Sequence, residues 1–447
     1  MKTLTSVFFS ILVAMKVVAS GTPSVMFTYA PPRGEHGSVV GVTQNVDKYT
    51  YGVAFFVNVY GTWWRKPYTE SKVLQLIQYT SYDSSFQIID YWTGGIDGYA
   101  DYFAAFVVPY TYKDTIPDPN GSWKIPDEIY SNSIAYTILD RRIPSDFINF
   151  AGYTWEKKIT NNGLTGYKWG PGPNYFNTNN ISVDALGKLH LAVSFDYGIH
   201  GWWNCSELIL TNQLGYGLYR FKVDSNVSNL PPNIVLGLFT WSDDPAYAHR
   251  EIDVEHSKGD VVGEGTSNSW QNVIQPYDVA GNRMRFPAPT NMNKSVHEFL
   301  WTSNSVSFNN FNEYSNDIIN CQIISAPTVR FDSSVNRGSY QSTSKTNSSM
   351  NISYPGGLPN SQFFKANFLS LTGNPAPFYI HTFSNNIPPS HDEKVHINIW
   401  LSSNLPDGYP GQKYEVIISD FEFIPLNQIG PRLEILNIRN TSLTLRY

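Results

Sequence analysis

Cysteine, charge and long apolar runs are all scarce in this chain of 447 residues. The only two cysteines, Cys205 and Cys321, have no His or Cys near them at metal-ligand spacing, so no metal site is expected. Charged residues make up 15% of the chain, the net charge is −6 and no basic run occurs, which excludes a typical nucleic-acid-binding surface. Beyond the N-terminus, no stretch approaches the roughly 20 apolar residues of a transmembrane helix, so no membrane span is expected.

Aromatic residues are abundant instead, at 15% of the chain, together with 32 glycines and 28 prolines. Aromatic segments separated by Gly, Pro and Asn turns predict an all-β protein with few, short helices. The length exceeds one ordinary core, so we expect more than one domain. We predict a smaller β-sandwich-like accessory module over 21–143, a larger β domain over 144–430 and a C-terminal tail over 431–447.

The N-terminus predicts export. Residues 1–20 combine Lys2, a short apolar stretch and the small-residue ending "VVAS", which is typical of a signal peptide and predicts a secreted, extracellular protein. In an oxidising compartment Cys205 and Cys321 could form a disulfide. Glycosylation fits the same compartment, and the N-x-S/T sequence occurs at eight candidate sites: Asn120, Asn180, Asn204, Asn226, Asn293, Asn347, Asn351 and Asn440.

The stretch "AHREIDVEHSKGD" contains three acids at alternate positions, Glu251, Asp253 and Glu255. In a β-strand these side chains share one face, while Ile252 and Val254 point to the other. Like charges side by side repel, so either the face is simply solvated or the acids do chemistry. Glycoside hydrolysis uses a carboxyl pair, and a third carboxyl between them can share a proton. In a regular strand the Cα atoms of Glu251 and Glu255 would be about 13 Å apart. Retaining hydrolysis needs the two carboxyl groups about 5–5.5 Å apart, so we expect this strand to curve and the two side chains to lean toward each other.

The surrounding stretch "VLGLFTWSDDPAYAHREIDVEHSKG" resembles the active-site region of family 16 glycoside hydrolases, the laminarinase and lichenase group. Four further stretches resemble strands of that family in the same order: "QLGYGLYRFKVD", "VHEFLWTSNSVSF", "HINIWLS" and "VIISDFEFIP". The resemblance implies a concanavalin A-like β-jelly-roll sandwich with a polysaccharide cleft, preceded by the smaller module. His256, which follows the last acid, departs from the aromatic or aliphatic residue usual in the family.

By position, the resemblance implies that Glu251 is the nucleophile, Asp253 an assisting acid and Glu255 the general acid/base. It therefore implies a secreted, endo-acting, retaining β-glycosidase, most simply on a β-1,3- or mixed β-1,3/1,4-glucan. A transglycosylase and a non-catalytic, lectin-like wall or matrix protein remain alternatives on the same scaffold. The residues leave glucan versus galactan, the role of the first module and the oligomeric state open.

Aromatic rings often form the walls of sugar clefts, because they pack against the apolar faces of pyranose rings. We predict no cofactor. No calcium loop such as D-x-D-x-D-G occurs, although a structural calcium with scattered ligands would leave no pattern. The predicted substrate-binding residues are Trp241, Tyr247, Trp203, Trp270 and Gln275.

Overall fold

The computed structural model describes residues 21–67, 78–79, 84–87, 95–160, 166–196, 201–258, 269–289, 291–312, 377–403, 411–429, 434–436 and 444–446. The predicted signal segment 1–20 lies outside the described residues, as do Cys321, Asn347, Asn351 and Asn440. The chain divides into two compact units. Unit 1 comprises Met1–Asp146 and Ile159–Tyr167, and unit 2 comprises Phe147–Lys158 and Lys168–Tyr447.

In its described residues, unit 1 contains two four-stranded sheets, ordered β1-β2-β6-β5 and β4-β3-β7-β8, one short α-helix and three short 3₁₀ helices. The elements are β1 (Ser24–Tyr29), β2 (Val40–Gln44), β3 (Tyr51–Val59), β4 (Thr62–Lys66), β5 (Gln78–Tyr79), β6 (Ser84–Gln87), β7 (Tyr102–Pro109), α1 (Asp127–Asn132) and β8 (Ala135–Asp140).

The two central strands of the second sheet of unit 1, β3 and β7, are buried on both faces. Phe55 and Phe103 pack edge to face with ring centroids 5.2 Å apart in one apolar cluster. Phe56 and Phe106 pack in the same way at 5.6 Å in another cluster, which also includes Ile129 of α1. Near-continuous apolar runs in these strands therefore reflect burial on both sides rather than alternation.

Sixteen strands of unit 2 form one continuous hydrogen-bonded network, and a separate hairpin lies near the C-terminus. The strands are β9 (Phe147–Phe150), β10 (Tyr153–Lys157), β11 (Tyr175–Phe176), β12 (Ile181–Val183), β13 (Leu189–Asp196), β14 (Trp202–Gln213), β15 (Gly217–Val223), β16 (Ile234–Trp241), β17 (Ile252–His256), β18 (Trp270–Ile274), β19 (Arg283–Phe286), β20 (Ser295–Trp301), β21 (Val306–Asn312), β22 (Tyr379–Phe383), β23 (Lys394–Leu401), β24 (Lys413–Pro425), β25 (Glu434–Leu436) and β26 (Thr444–Arg446).

The network divides into two sheets because β14 takes part in both. Its first residues, Trp202–Asn204, pair with β13, whereas Ser206–Ile209 pair with β23. The first sheet has the order β9-β10-β14-β23-β16-β17-β18-β19, and the second continues from β13 through β24, β15, β20 and β21 to β22. Cys205, at the crossing point, is fully buried.

The core of unit 2 lies between these sheets. Leu236 and Val254 of the first sheet and Phe221 and Phe299 of the second belong to one apolar cluster. All described strand pairs are antiparallel except β11 with β14. This confirms the predicted all-β jelly-roll sandwich with few, short helices. In the described part of the chain, no helix has the length and apolar character needed to cross a membrane.

Candidate active site

The three acids lie on the face of the first sheet that points away from the core. β17 alternates as expected: Ile252 and Val254 are fully buried in the core, whereas Asp253 and Glu255 point to the opposite face. Glu251 immediately precedes the strand, with an extended backbone of φ −82° and ψ 127°. Its carbonyl accepts a hydrogen bond of 3.1 Å from the backbone N–H of Gln275, which extends the pairing with β18.

Asp253 is the most buried of the three acids, with an exposed fraction of 1%. The Nε2 of Gln275 donates to its Oδ2 at 3.1 Å, and its carboxyl is hydrogen-bonded to that of Glu251. Burial raises the pKa of Asp253 well above its ordinary value, and the charges of Glu251 and Glu255 raise it further. The hydrogen bond between the two carboxyls raises the pKa of Asp253 and lowers that of Glu251, so Asp253 is the donor in it.

Glu251 is half-buried and is the acceptor in that hydrogen bond. Burial raises its pKa to about 8, and the charge of Glu255 contributes in the same direction, while the hydrogen bond from Asp253 opposes the rise. A carboxylate that accepts a hydrogen bond from a neutral acid is stabilised in its charged form. Of this hydrogen-bonded pair, Glu251 is accordingly the member that ionises first.

Glu255 is half-buried and stands opposite Gln271 of β18, whose Nε2 donates to Glu255 Oε2. Gln271 is itself oriented, because its Oε1 accepts a hydrogen bond of 3.4 Å from Arg285 Nη1. Since the amide Oε1 is occupied by the guanidinium, the amide nitrogen is the atom turned toward the acid. The result is a fixed donor beside Glu255.

A glycine forms the surface next to Glu255. Gly237 of β16 is paired with Glu255 on one side and with Asn398 of β23 on the other. A Cβ at this position would lie 2.5 Å from Asn398 Oδ1. Glycine at this position thus lets the Asn398 side chain approach the backbone beside the acids, which any larger residue would prevent.

The same cross-strand row ends at a buried carboxylate that the sequence reasoning missed. Glu207 of β14 is paired with Asn398 and accepts hydrogen bonds from His396 Nδ1 at 2.9 Å, Lys158 Nζ at 3.3 Å and Asn398 Nδ2 at 3.3 Å. Burial alone would raise the pKa of Glu207, but Lys158 and His396 hold it below its ordinary value. The row therefore has an ionised carboxylate, Glu207, at one end and Glu255 at the other. The only sequence signal was a single acid within the apolar stretch "SELILT".

Gln275 contacts one of the acids, and two predicted aromatic residues lie on the segments that lead into the acid strand. Trp241, at the end of β16, is half-buried and stacks on His249 with ring centroids 3.9 Å apart and planes 9° apart. Tyr247 is 63% exposed, in the turn between β16 and β17. Gln275 contacts Asp253 directly.

The other two predicted aromatics lie elsewhere. Trp270 is fully buried on the core side of β18, where its ring stacks on His297 at 4.0 Å, so it has no surface for a sugar. Trp203 lies in the part of β14 that pairs with the second sheet and packs against Phe195 and Tyr414. The acid face therefore contains neither ring.

His256, the departure noted in the sequence, points into the core and not toward the acids. It is fully buried and packs edge-on against Trp270 at 5.1 Å. Burial lowers its pKa to about 3, so it is neutral at physiological pH. Neither ring nitrogen has a hydrogen-bond partner among the described residues. His256 is a core residue here.

The predicted modification sites differ in exposure. A glycan needs a solvent-exposed Asn side chain; Asn120 and Asn293 are exposed, Asn180 and Asn226 are half-buried, and Asn204 is buried. Burial raises the pKa of the Cys205 thiol to about 12. Among the described residues, no group of three or more His, Cys, Asp or Glu side chains is arranged to hold a metal ion.

Comparison with protein-family models and with curated proteins finds no match. Among solved structures, the chain is similar to a prokaryotic β-1,3-1,4-glucanase (lichenase) derived from a mouse hindgut metagenome, at 16% identity over 63% of this chain and 97% of that chain, with a TM-score of 0.36. It is also similar to the Bacillus licheniformis β-glucanase, at 16% identity over 62% and 95%, with a TM-score of 0.34.

A third similar structure is an elongating family 16 β-1,3-glucosyltransferase, at 12% identity over 51% of this chain and 70% of that chain, with a TM-score of 0.29. At these identities and TM-scores the likeness carries no information about substrate or chemistry.

Proposed function

We propose that this protein is a secreted, endo-acting glycoside hydrolase that cleaves a β-1,3- or mixed β-1,3/1,4-glucan with retention. The observation that carries the proposal is the line of Glu251, Asp253 and Glu255 on one sheet face, with burial and mutual repulsion raising the pKa values of Glu251 and Asp253. Three carboxyls packed this closely destabilise a fold, and acid/base chemistry gives a reason to keep them.

In the proposed mechanism, ionised Glu251 attacks the anomeric carbon while Glu255 gives its proton to the departing glycosidic oxygen. The bond from the anomeric carbon to the leaving oxygen breaks as the bond to a Glu251 oxygen forms. Water then attacks the same carbon, Glu255 accepts the water proton, and Glu251 leaves as a carboxylate. Asp253 keeps its proton throughout and donates a hydrogen bond to Glu251, which stabilises the leaving carboxylate in the second step.

The rest of the face supports a neutral polysaccharide as substrate. Glu207 orients Asn398 and His396, and Gln271 and Gln275 present amide groups beside the acids. Amide and imidazole groups can bind sugar hydroxyls, and an anionic polysaccharide would be repelled by ionised Glu251.

The test is the release of new reducing ends from four polysaccharides: a β-1,3-glucan, a mixed β-1,3/1,4-glucan, a galactan and xyloglucan. We expect cleavage of one of the first two, loss of that activity in Glu251→Gln and in Glu255→Gln, and full activity in the control Asp278→Asn, which changes an exposed carboxyl. Full activity in either catalytic variant would overturn the assignment of roles.

Product sizing with and without an acceptor oligosaccharide separates hydrolysis from transglycosylation, since transfer lengthens the acceptor. Retention on a glucan affinity gel without any cleavage would overturn the hydrolase proposal and favour the lectin-like alternative.

A further inference from the structure

The turn that leads into Glu251 has an unusual backbone. Four consecutive residues that are not glycine have positive φ: Tyr247 at 56°, Ala248 at 51°, His249 at 62° and Arg250 at 52°. The left-handed region is sterically unfavourable for residues other than glycine, and such residues normally occur there singly. Other contacts must therefore hold this turn in place.

Arg250 supplies the strongest of those contacts. Its side chain is 5% exposed, and its Nη1 lies 3.1 Å from Asp244 Oδ2 and 3.6 Å from Asp392 Oδ1. Ser242 Oγ donates to the same Asp392 oxygen at 2.6 Å. The guanidinium thus joins the start of the turn, at Asp244, to the segment before β23, at Asp392.

His249 closes the turn on the other side. Its carbonyl accepts a hydrogen bond of 2.7 Å from the Ser242 N–H, its Nδ1 lies 2.8 Å from the Ser242 carbonyl oxygen, and its ring lies flat on Trp241. The Glu251 N–H in turn donates to the Ala248 carbonyl at 3.4 Å. Glu251 is therefore held between the left-handed turn and the end of β18.

We infer that Arg250, bridging Asp244 and Asp392, is a positioning residue that sets the Glu251 carboxylate against Asp253. The left-handed turn ends the regular strand directly before Glu251, and the guanidinium bridge keeps the chain in that conformation. The catalytic meaning of this inference rests on the proposed function.

A matched control variant exists in the second sheet. Arg220 is also buried and also joins two carboxylates, Glu298 at 3.0 Å and Glu422 at 2.6 Å. Arg220→Met removes a guanidinium of the same kind without touching the turn. Comparison of Arg250→Met with Arg220→Met thus separates positioning from loss of a buried ion pair.

The first readout is kinetic. We expect Arg250→Met to lower kcat by about 10- to 100-fold per folded molecule with KM changed by less than about twofold, since misplacement by about 1 Å can have effects of this size. Arg250→Lys should recover part of kcat, because lysine keeps the positive charge on a shorter side chain. Arg220→Met should keep its kcat per folded molecule. Equal losses in the two Met variants would overturn the inference.

The second readout does not need catalysis. Carboxyl ¹³C NMR of glutamate-labelled protein follows the titration of Glu251, which is assigned by its loss in Glu251→Gln. We expect the Glu251 titration to move toward the ordinary glutamate range in Arg250→Met and not in Arg220→Met. Should Arg250→Met fail to fold, Asp392→Asn, which removes one of the two carboxylates, takes its place with the same expectation.

The two readouts separate the two proposals. A wild-type protein that cleaves no glucan, with Glu251 titration displaced in Arg250→Met, would overturn the proposed function and support the positioning role. An unchanged titration in every folded Arg250 and Asp392 variant would overturn the positioning role, whatever the activity.

Discussion

Replacing Glu251 with glutamine should abolish activity and stabilise the protein at the same time. The carboxyl has a pKa of about 8 in the fold against an ordinary 4.5, so between these values the folded state holds a proton that the unfolded state releases. The unfolding free energy therefore falls as pH rises, by about 1.4 kcal/mol per pH unit for one whole proton. The stability that this group contributes is complete below pH 4.5 and is lost up to pH 8.

The full difference corresponds to about 5 kcal/mol. Glu251 is half-buried, so water screens part of the repulsion, and we expect about 2–3 kcal/mol. This is a substantial share of the 5–15 kcal/mol by which typical domains are stable. Glutamine keeps the shape, and its Oε1 can still accept the hydrogen bond from Asp253, so little else changes.

The assay is urea denaturation of wild type and Glu251→Gln at pH 5, 6, 7 and 8, followed by tryptophan fluorescence. We expect the variant to gain stability over wild type as pH rises, by about 2–3 kcal/mol between pH 5 and 8. Asp278→Asn, at an exposed carboxyl, is the control and should run parallel to wild type. Parallel curves for wild type and Glu251→Gln would refute the reasoning that burial and repulsion hold a proton at this site.

Three other outcomes follow from the same geometry. Over the pH range in which Glu255 keeps its proton, the kcat/KM of the wild type should rise with pH up to about 8, because Glu251 must be ionised to attack in the proposed mechanism; a rate that is flat from pH 5 to 8 would contradict this. Gly237→Ala should place a methyl group 2.5 Å from the present position of Asn398 Oδ1 and lower kcat/KM about tenfold. Gly170→Ala is the control, because a Cβ there meets nothing within 4 Å, and it should have no effect on kcat/KM. His256→Leu should keep full activity and lose no more than about 1 kcal/mol of stability, because it removes a buried ring without hydrogen-bond partners; loss of activity would contradict the placement of His256 in the core.

The acid strand itself could be predicted because its information is local. A period of two places Glu251, Asp253 and Glu255 on one face whatever surrounds them, and the apolar Ile252 and Val254 mark the other face as core. The roles proposed for the acids came from the resemblance of the flanking strands. Gln275, predicted from its place at the end of the neighbouring strand, contacts Asp253.

The aromatic partners were predicted less well because indole rings suit both a sugar cleft and a core. Trp270 lies inside the sandwich, since it is paired with His256 on the core side of β17. Trp203 lies in the part of β14 that pairs with the second sheet. The residues around these rings predict neither the strand register nor the passage of β14 from one sheet to the other.

By itself, the sequence determined the all-β class and the common face of the three acids, because turn residues and alternation act over a few neighbouring positions. Only the tertiary structure decided what surrounds those acids. It brought Glu207, His396 and Asn398 onto their face of the sheet from β14 and β23, through pairings far apart in the chain. It also imposed the left-handed turn at residues 247–250, which contains no glycine, because the buried contacts of Arg250 with Asp244 and Asp392 outweigh the local preference of the backbone.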